Sequence, residues 1–153
     1  MQGNSGQGSG KPARVETQLC FAVYGAAHAF TRTYKPLLEP LGLTYPQYLV
    51  MLVLWDQDDQ PVRAIGDRLG LDSGTLSPLL KRLEQAGLVK RVRDREDERQ
   101  VRISLTDKGN DMRGEAAAVT RAIGSAVGCS LEEMETLRDE LLDLTGRLAK
   151  AAE

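Results

Sequence analysis

Apolar residues recur along this chain with two different periods. Leu19, Val23, Ala26, Ala27, Phe30 and Leu37 return at three- and four-residue steps, which predicts a helix from Val15 onward. Pro36 should bend or loosen its end, and Gly42 closes the segment. Thr44 is a good helix N-cap with Pro46 in the first turn. Residues 48–55 are nearly all apolar and predict the most buried helix, followed by a polar turn over 56–61. Residues 62–69 place Val62, Ile65 and Leu69 on one helical face and stop at Gly70. After the turn Gly70-Leu71-Asp72, a helix capped by Asp72 or Ser73 runs to Ala86 on the stripe Leu76, Leu79, Leu80, Leu83, and Gly87 ends it. Two helices joined by so short a turn form a helix-turn-helix.

The period then falls to two. Residues 88–93 and 100–105 predict strands joined as a hairpin by the charged loop 94–99. Thr106 opens a helix to about Val127. Ser130 with Glu133 predicts a capping box for a last helix over about 131–149. The predicted fold class is mainly α with a small β-hairpin wing, a winged helix-turn-helix. Residues 1–13, rich in Gly, Ser, Gln and Asn, predict a disordered tail. No internal repeat is present.

Composition first argues against nucleic acid. The 153 residues hold 20 basic and 22 acidic side chains, a net charge of -2. The distribution reverses that impression: residues 63–102 hold 10 basic and 7 acidic residues, a net of +3, and the rest a net of -5. One histidine and two cysteines are too few for a zinc site or a disulfide scaffold. A Ser-His-Asp enzyme would have to use His28, and no partner serine is marked. No cofactor or metal is expected. The longest apolar run, 49–55, falls far short of the roughly 20 residues that span a bilayer. The first ten residues lack the apolar core of an export signal, so no membrane partner and a cytoplasmic location are expected.

The face of the 73–86 helix opposite its leucines shows Ser73, Gly74, Thr75, Ser77, Lys81 and Arg82. Small hydroxyl residues at a helix N-terminus can donate to phosphates and base edges, and glycine lets the backbone approach closely. Asp72 at the helix start and Arg91 on the first strand are counted with them as DNA-binding candidates. Pro78 is expected to bend this helix. Arg95 and Arg99 at the hairpin tip suit a narrow minor groove. Asp94, Glu96, Asp97 and Glu98 are expected to orient those arginines by ion pairing. The plainer alternative is a solvated, salt-bridged surface.

Five stretches in fixed order resemble the multiple-antibiotic-resistance-regulator (MarR) family, and within it the organic-hydroperoxide-sensing (OhrR) branch. They are Gln18-Leu19-Cys20-Phe21, Tyr34-Lys35-Pro36-Leu37-Leu38, Thr44-Tyr45-Pro46-Gln47-Tyr48, Leu71-Asp72-Ser73-Gly74-Thr75-Leu76 and Asp97-Glu98-Arg99, all within residues 16–110. The resemblance implies an obligate helical homodimer whose N- and C-terminal helices interlock. It also implies recognition helices in successive major grooves and wings in the minor groove. Residues 14–45 and 106–153 would then dimerise, and residues 46–105 would read DNA. Ser73, Gly74, Thr75, Ser77 and Lys81 match the family's recognition-helix positions, and Arg99 its wing-tip arginine.

Cys20 sits near the start of the first helix, where a helix N-terminus favours the thiolate that attacks a peroxide. Cys20, Tyr24, Ala27, Thr31 and Tyr34 form one helical stripe. Tyr24 is one turn from Cys20, whereas Tyr34 is roughly 21 Å away along a straight helix. A Tyr34 contact would therefore reach the Cys20 of a partner subunit. The resemblance implies the same, with Tyr34 and Tyr45 hydrogen-bonding the sensing cysteine across the dimer. The alternative makes Cys20 a small buried hydrophobe and the tyrosines core. Cys129 lies just before Ser130, and the resemblance, whose branch has one-cysteine and two-cysteine members, suggests a resolving cysteine that forms a disulfide with the partner's Cys20; the alternative is an incidental placement. Trp55 and Tyr48 read as core or pocket wall, Met51 and Met112 as filler, and His28 as packing or surface.

The expected function is that of a repressor, not an enzyme. It binds a double-stranded, pseudo-palindromic operator while Cys20 is reduced. It releases the operator when organic hydroperoxide, entering a pocket of Phe21, Tyr24, Tyr34, Tyr45 and Trp55, oxidises Cys20. One rival is a non-redox relative released by a small phenolic or lipophilic ligand. Another is a thiol peroxidase, for which the Pro/Thr/Arg surroundings of a peroxidatic cysteine are missing.

Overall fold

The computed structural model describes residues 13–153, so the tail expected over 1–13 lies outside the described residues apart from Ala13. The chain divides into two compact units after Arg32. In the first, a 3-10 turn at Val15–Thr17 leads into α1 (Leu19–Leu38), and Thr17 Oγ1 donates to the Arg14 carbonyl at 2.8 Å. Val15, Leu19, Phe21, Val23, Tyr24 and Phe30 are all exposed there.

The second unit carries the core. Pro36 is accommodated inside α1, which ends two residues later and tightens into a 3-10 turn, Glu39–Leu41, closed by Gly42 at φ 67. α2 (Tyr45–Asp56) is the central helix, with Tyr48, Val50, Met51, Val53, Leu54 and Trp55 all buried. Leu52 is the large apolar side chain of α2 left exposed. Thr44 caps it as expected, and Gln47 returns the bond, donor Thr44 N to Gln47 Oε1 at 3.0 Å, which completes a capping box.

α3 (Val62–Leu69) ends at Gly70, φ 66, and the Leu71 N–H returns to the Gly66 carbonyl at 2.9 Å. Gly66 makes this fold-back possible, because a Cβ there would stand 2.8 Å from the Leu71 oxygen. α4 (Ser73–Gln85) starts where Asp72 Oδ1 accepts the Thr75 N–H at 2.7 Å and buries all four stripe leucines. Pro78 lies inside α4, which runs on unbroken past it. β2 (Val89–Arg93) and β3 (Val101–Leu105) pair antiparallel, Arg91 opposite Ile103.

Two expectations are corrected. The segment 56–61 is not only a turn: it ends in β1 (Gln60–Pro61), which pairs the other edge of β3 and makes a sheet of order β1-β3-β2. Two residues are too few to show a period, and Pro61 suits an edge. The helix expected from Thr106 to Val127 is two helices, α5 (Asp107–Asp111) and α6 (Arg113–Val127), separated at Met112. The Trp55 indole N–H donates to the Gly109 carbonyl at 2.9 Å, the acceptor that a continuous helix would offer to Arg113. α7 (Leu131–Ala151) begins with the expected Ser130–Glu133 box, and no residue of it is buried.

Candidate nucleic-acid interface and thiol site

α3, α4 and the wing enclose an open cleft of about 650 Å³ whose walls include Arg63, Ser73, Ser77, Arg91 and Arg99. With the leucine stripe committed to the core, Ser73, Gly74, Thr75, Ser77, Lys81 and Arg82 all face outward from α4. Asp72 acts as the helix cap. Its carboxyl is held below the usual carboxylate range, chiefly by the Thr75 backbone N–H. An ionised carboxylate is acceptor-only, so Asp72 shapes this face rather than donating to phosphate. Arg91 Nε lies 3.2 Å from Glu84 Oε2, tying β2 to α4. Lys81, Arg82, Arg95 and Arg99 hold no ion pair among the described residues.

That last fact corrects the reading of the wing acids. Asp94 Oδ1 accepts the Glu96 N–H at 2.9 Å, Asp97 Oδ1 accepts the Arg99 N–H at 3.1 Å, and the Gln100 N–H bonds the Asp97 carbonyl at 2.9 Å. These are local side-chain turns. The carboxylates fold the tip through backbone donors two residues on and leave the guanidinium groups of Arg95 and Arg99 for another partner. Sequence reasoning also missed Arg102. Its Nε donates to Asp59 Oδ1 at 3.0 Å, its Nη2 to the Asp59 carbonyl at 2.6 Å and its Nη1 to Asp94 Oδ2 at 3.3 Å. The Asp59 partner lies 43 residues away, beyond any local signal.

In the first unit Cys20 is the second residue of α1, exposed and a free thiol. No described residue of the same chain buries it. Phe21 and Tyr24 are exposed beside it, and the Tyr24 and His28 rings meet edge to face at 4.3 Å. In the second unit, Tyr34 lies 4.8 Å from Tyr45 and 5.5 Å from Tyr48, ring centre to ring centre. Tyr48 is buried, 6.2 Å from Trp55, with its hydroxyl 3.4 Å from Thr120 Oγ1. Trp55 is core wall, its N–H already used by Gly109. Cys129 is half-buried and a free thiol, between Gly128 at φ 74 and the Ser130 cap. No cluster of His, Cys, Asp and Glu among the described residues could hold a metal ion.

Burial first, then the neighbouring phenols Tyr48 and Tyr45, push the Tyr34 hydroxyl up to about 12. Burial also raises Tyr45. Both phenols therefore stay protonated as hydrogen-bond donors at working pH. An unfolded Tyr34 ionises near its ordinary value of 10.0 and the folded one near 12, so its contribution to stability is whole below pH 10 and is lost as pH rises toward 12. Urea melts across that window should show wild type losing more stability than Tyr34→Phe.

Known proteins agree with this geometry. The family profile for the transcriptional regulator SarA/Rot matches residues 32–115. The chain is 52% identical over 141 residues to the HTH-type transcriptional regulator TtmR of Methylorubrum extorquens (strain PA1), covering 92% of this chain and 72% of that one. It is 44% identical over 131 residues to the organic hydroperoxide resistance transcriptional regulator of Bacillus subtilis (strain 168), covering 86% and 89%. The structure of reduced AbfR bound to DNA matches at TM-score 0.74 with 41% identity, over 88% of this chain and 94% of that one. Disulfide-formed AbfR matches at TM-score 0.63 with 43% identity, over 86% and 93%; AbfR is a protein of Staphylococcus epidermidis. These curated relatives are transcriptional regulators, not enzymes. With an outward recognition helix, a basic wing and these relatives, the chain belongs to the MarR-type family of winged-helix, DNA-binding transcriptional regulators that includes the SarA/Rot group.

Proposed function

We propose that this regulator is a homodimeric, cytoplasmic repressor that senses organic hydroperoxide through Cys20. The observation that carries the reading is Cys20 itself: a free, exposed thiol at the start of α1, in a chain similar to a regulator of organic hydroperoxide resistance. The Cys20 thiolate attacks the peroxide oxygen and the O–O bond breaks. Sulfur keeps one oxygen as sulfenic acid, and the alkoxide leaves and takes a proton to become an alcohol. Cys129 of the partner subunit then attacks that sulfur, forming the disulfide and releasing water. Across the dimer, Tyr34 and Tyr45 of one subunit would supply the phenol donors to Cys20 of the other, with Phe21 and Tyr24 beside that thiol as apolar surroundings.

Exposed apolar surface supports the dimer. α7 shows Leu131, Leu137, Leu141, Leu142 and Leu148 with no residue buried, and α1 shows Leu19, Phe21, Val23 and Phe30. An amphipathic helix with an uncovered stripe needs a partner. Residues 14–45 and 106–153 would supply that interface, and 46–105 the DNA contacts. No single helix among the described residues is long and apolar enough to cross a membrane.

On DNA, Ser73, Gly74, Thr75 and Ser77 would meet base edges and phosphates, and Lys81, Arg82, Arg95 and Arg99 would add charge. Lys81→Ala should weaken binding to all sequences alike and lower the salt slope by about one. Fluorescence anisotropy at several salt concentrations checks this. The function is tested by gel-shift titration of the reduced protein with cumene hydroperoxide. Release at near-stoichiometric oxidant, reversed by dithiothreitol, is expected; continued binding by protein oxidised to the stage that dithiothreitol reverses would overturn it.

A further inference from the structure

Arg102 lies on β3, where it pairs Pro61 of β1 on one side and Val92 of β2 on the other. Its guanidinium makes three hydrogen bonds to two separate loops. Two go to Asp59, one on the carboxylate and one on the carbonyl, and the third to Asp94. Asp59 belongs to the connection just after α2, next to Asp58, whose Oδ1 accepts the Leu105 N–H at 2.8 Å. Asp94 is where the wing leaves β2. Its other carboxylate oxygen accepts the Glu96 N–H, and its own N–H bonds the Gln100 carbonyl at 2.9 Å. Asp94 thus holds the tip turn with one oxygen and Arg102 with the other. The tip arginines Arg95 and Arg99 hang from that turn without a carboxylate partner of their own.

We propose that Arg102, clamped between Asp59 and Asp94, is a positioning residue that sets the wing against the helix-turn-helix and so aims Arg95 and Arg99 at DNA. This rests on the wing contacting DNA, as proposed above, and needs none of the redox chemistry. Its failure and that of the sensing reading are therefore separable. Asp59 holds a left-handed backbone, φ 54, a conformation that among residues with a side chain favours asparagine and aspartate. A side chain held there, with its carbonyl also engaged, fits a fixed anchor better than a mobile loop.

The clamp and plain electrostatics predict opposite signs. Asp59 is an exposed negative charge on a DNA-binding protein, so Coulomb's law alone makes Asp59→Asn bind DNA more tightly. Asparagine tolerates the left-handed backbone, so the fold is kept while the ion pair is lost. The clamp predicts weaker binding by about fivefold. The probe is a duplex selected by the protein from a random-sequence pool, with anisotropy read at fixed salt on the reduced protein. In an Arg95→Ala/Arg99→Ala background, the loss from Asp59→Asn should disappear, because no aimed arginine remains. Tighter or unchanged binding overturns the proposal. So does a loss that persists in full in that background, which would place the role elsewhere in the fold. Arg102→Lys keeps the charge but loses the fork, and it carries the same test with the same expected result if Asp59→Asn proves unstable.

Discussion

Gly109→Ala should cost the protein about 2 to 3 kcal/mol of folding stability, although alanine is the better helix former. Gly109 lies in α5, packed against the backbone where β2 begins. A Cβ there would fall inside the Leu88 carbonyl oxygen's contact distance, 3.0 Å from its carbon and 3.3 Å from a Leu105 methyl. The Leu88 carbonyl cannot retreat easily. It accepts the Thr106 N–H at 3.0 Å, and the next residue, Val89, pairs with Leu105. Gly109 itself is held from both ends, its N–H on Thr106 Oγ1 at 3.1 Å and its carbonyl under the Trp55 indole at 2.9 Å. Helix propensity returns roughly 1 kcal/mol to alanine, less than the overpacking takes away. Thermal melts at fixed protein concentration should show a Tm lower by about 5 to 10 °C. Gly114, exposed near the start of α6 with nothing within 4 Å of an added Cβ, is the control. Gly114→Ala should leave Tm unchanged or slightly higher. A Tm drop as large at Gly114 as at Gly109 would sink the close-approach account.

What the sequence shows and hides follows from how far away the cause lies. The α4 stripe Leu76, Leu79, Leu80, Leu83 is local, and so are the face opposite it and the DNA candidates it carries. The Ser130–Glu133 box is local too, and the Thr44–Gln47 box could have been read in full by the same rule. The break at Met112 has its cause in Trp55, 54 residues from Gly109, so no window on the sequence contains it. Arg102 was hidden for the same reason. The wing acids were misread for a different one. Opposite charges in one loop suggest ion pairs, yet a backbone N–H two residues on is always within reach. A flexible guanidinium must give up rotamer freedom for a surface pair worth at most about 1 kcal/mol. The amphipathic patterns of α1 and α7 were legible, but the single chain leaves their apolar stripes uncovered.

Cys20→Ser is expected to bind DNA as tightly as wild type and to stay bound at hydroperoxide concentrations that release it completely. Serine differs from cysteine by one atom and is close to it in size, so replacing Cys20 keeps the shape of the side chain. Oxidation needs a thiolate, and a serine hydroxyl is not ionised at working pH, so the O–O bond finds no nucleophile at that position. Cys129→Ser then divides the response into steps. The disulfide reading requires a covalent dimer in oxidised wild type on a non-reducing gel and none in either variant. Cys129→Ser should still form the sulfenic acid, trapped by dimedone, and should pass to irreversible sulfinic acid at higher oxidant. A disulfide needs Cα atoms within about 7 Å, so closing the bond fixes two helix ends at one short distance. The two winged units of a dimer must match half-sites about one DNA turn apart, and a rigid tilt loses that match. Oxidised Cys129→Ser should therefore release DNA less completely than oxidised wild type. If Cys20→Ser leaves DNA on treatment, the sensor is elsewhere. If Cys129→Ser forms the covalent dimer, Cys129 is not the resolving thiol.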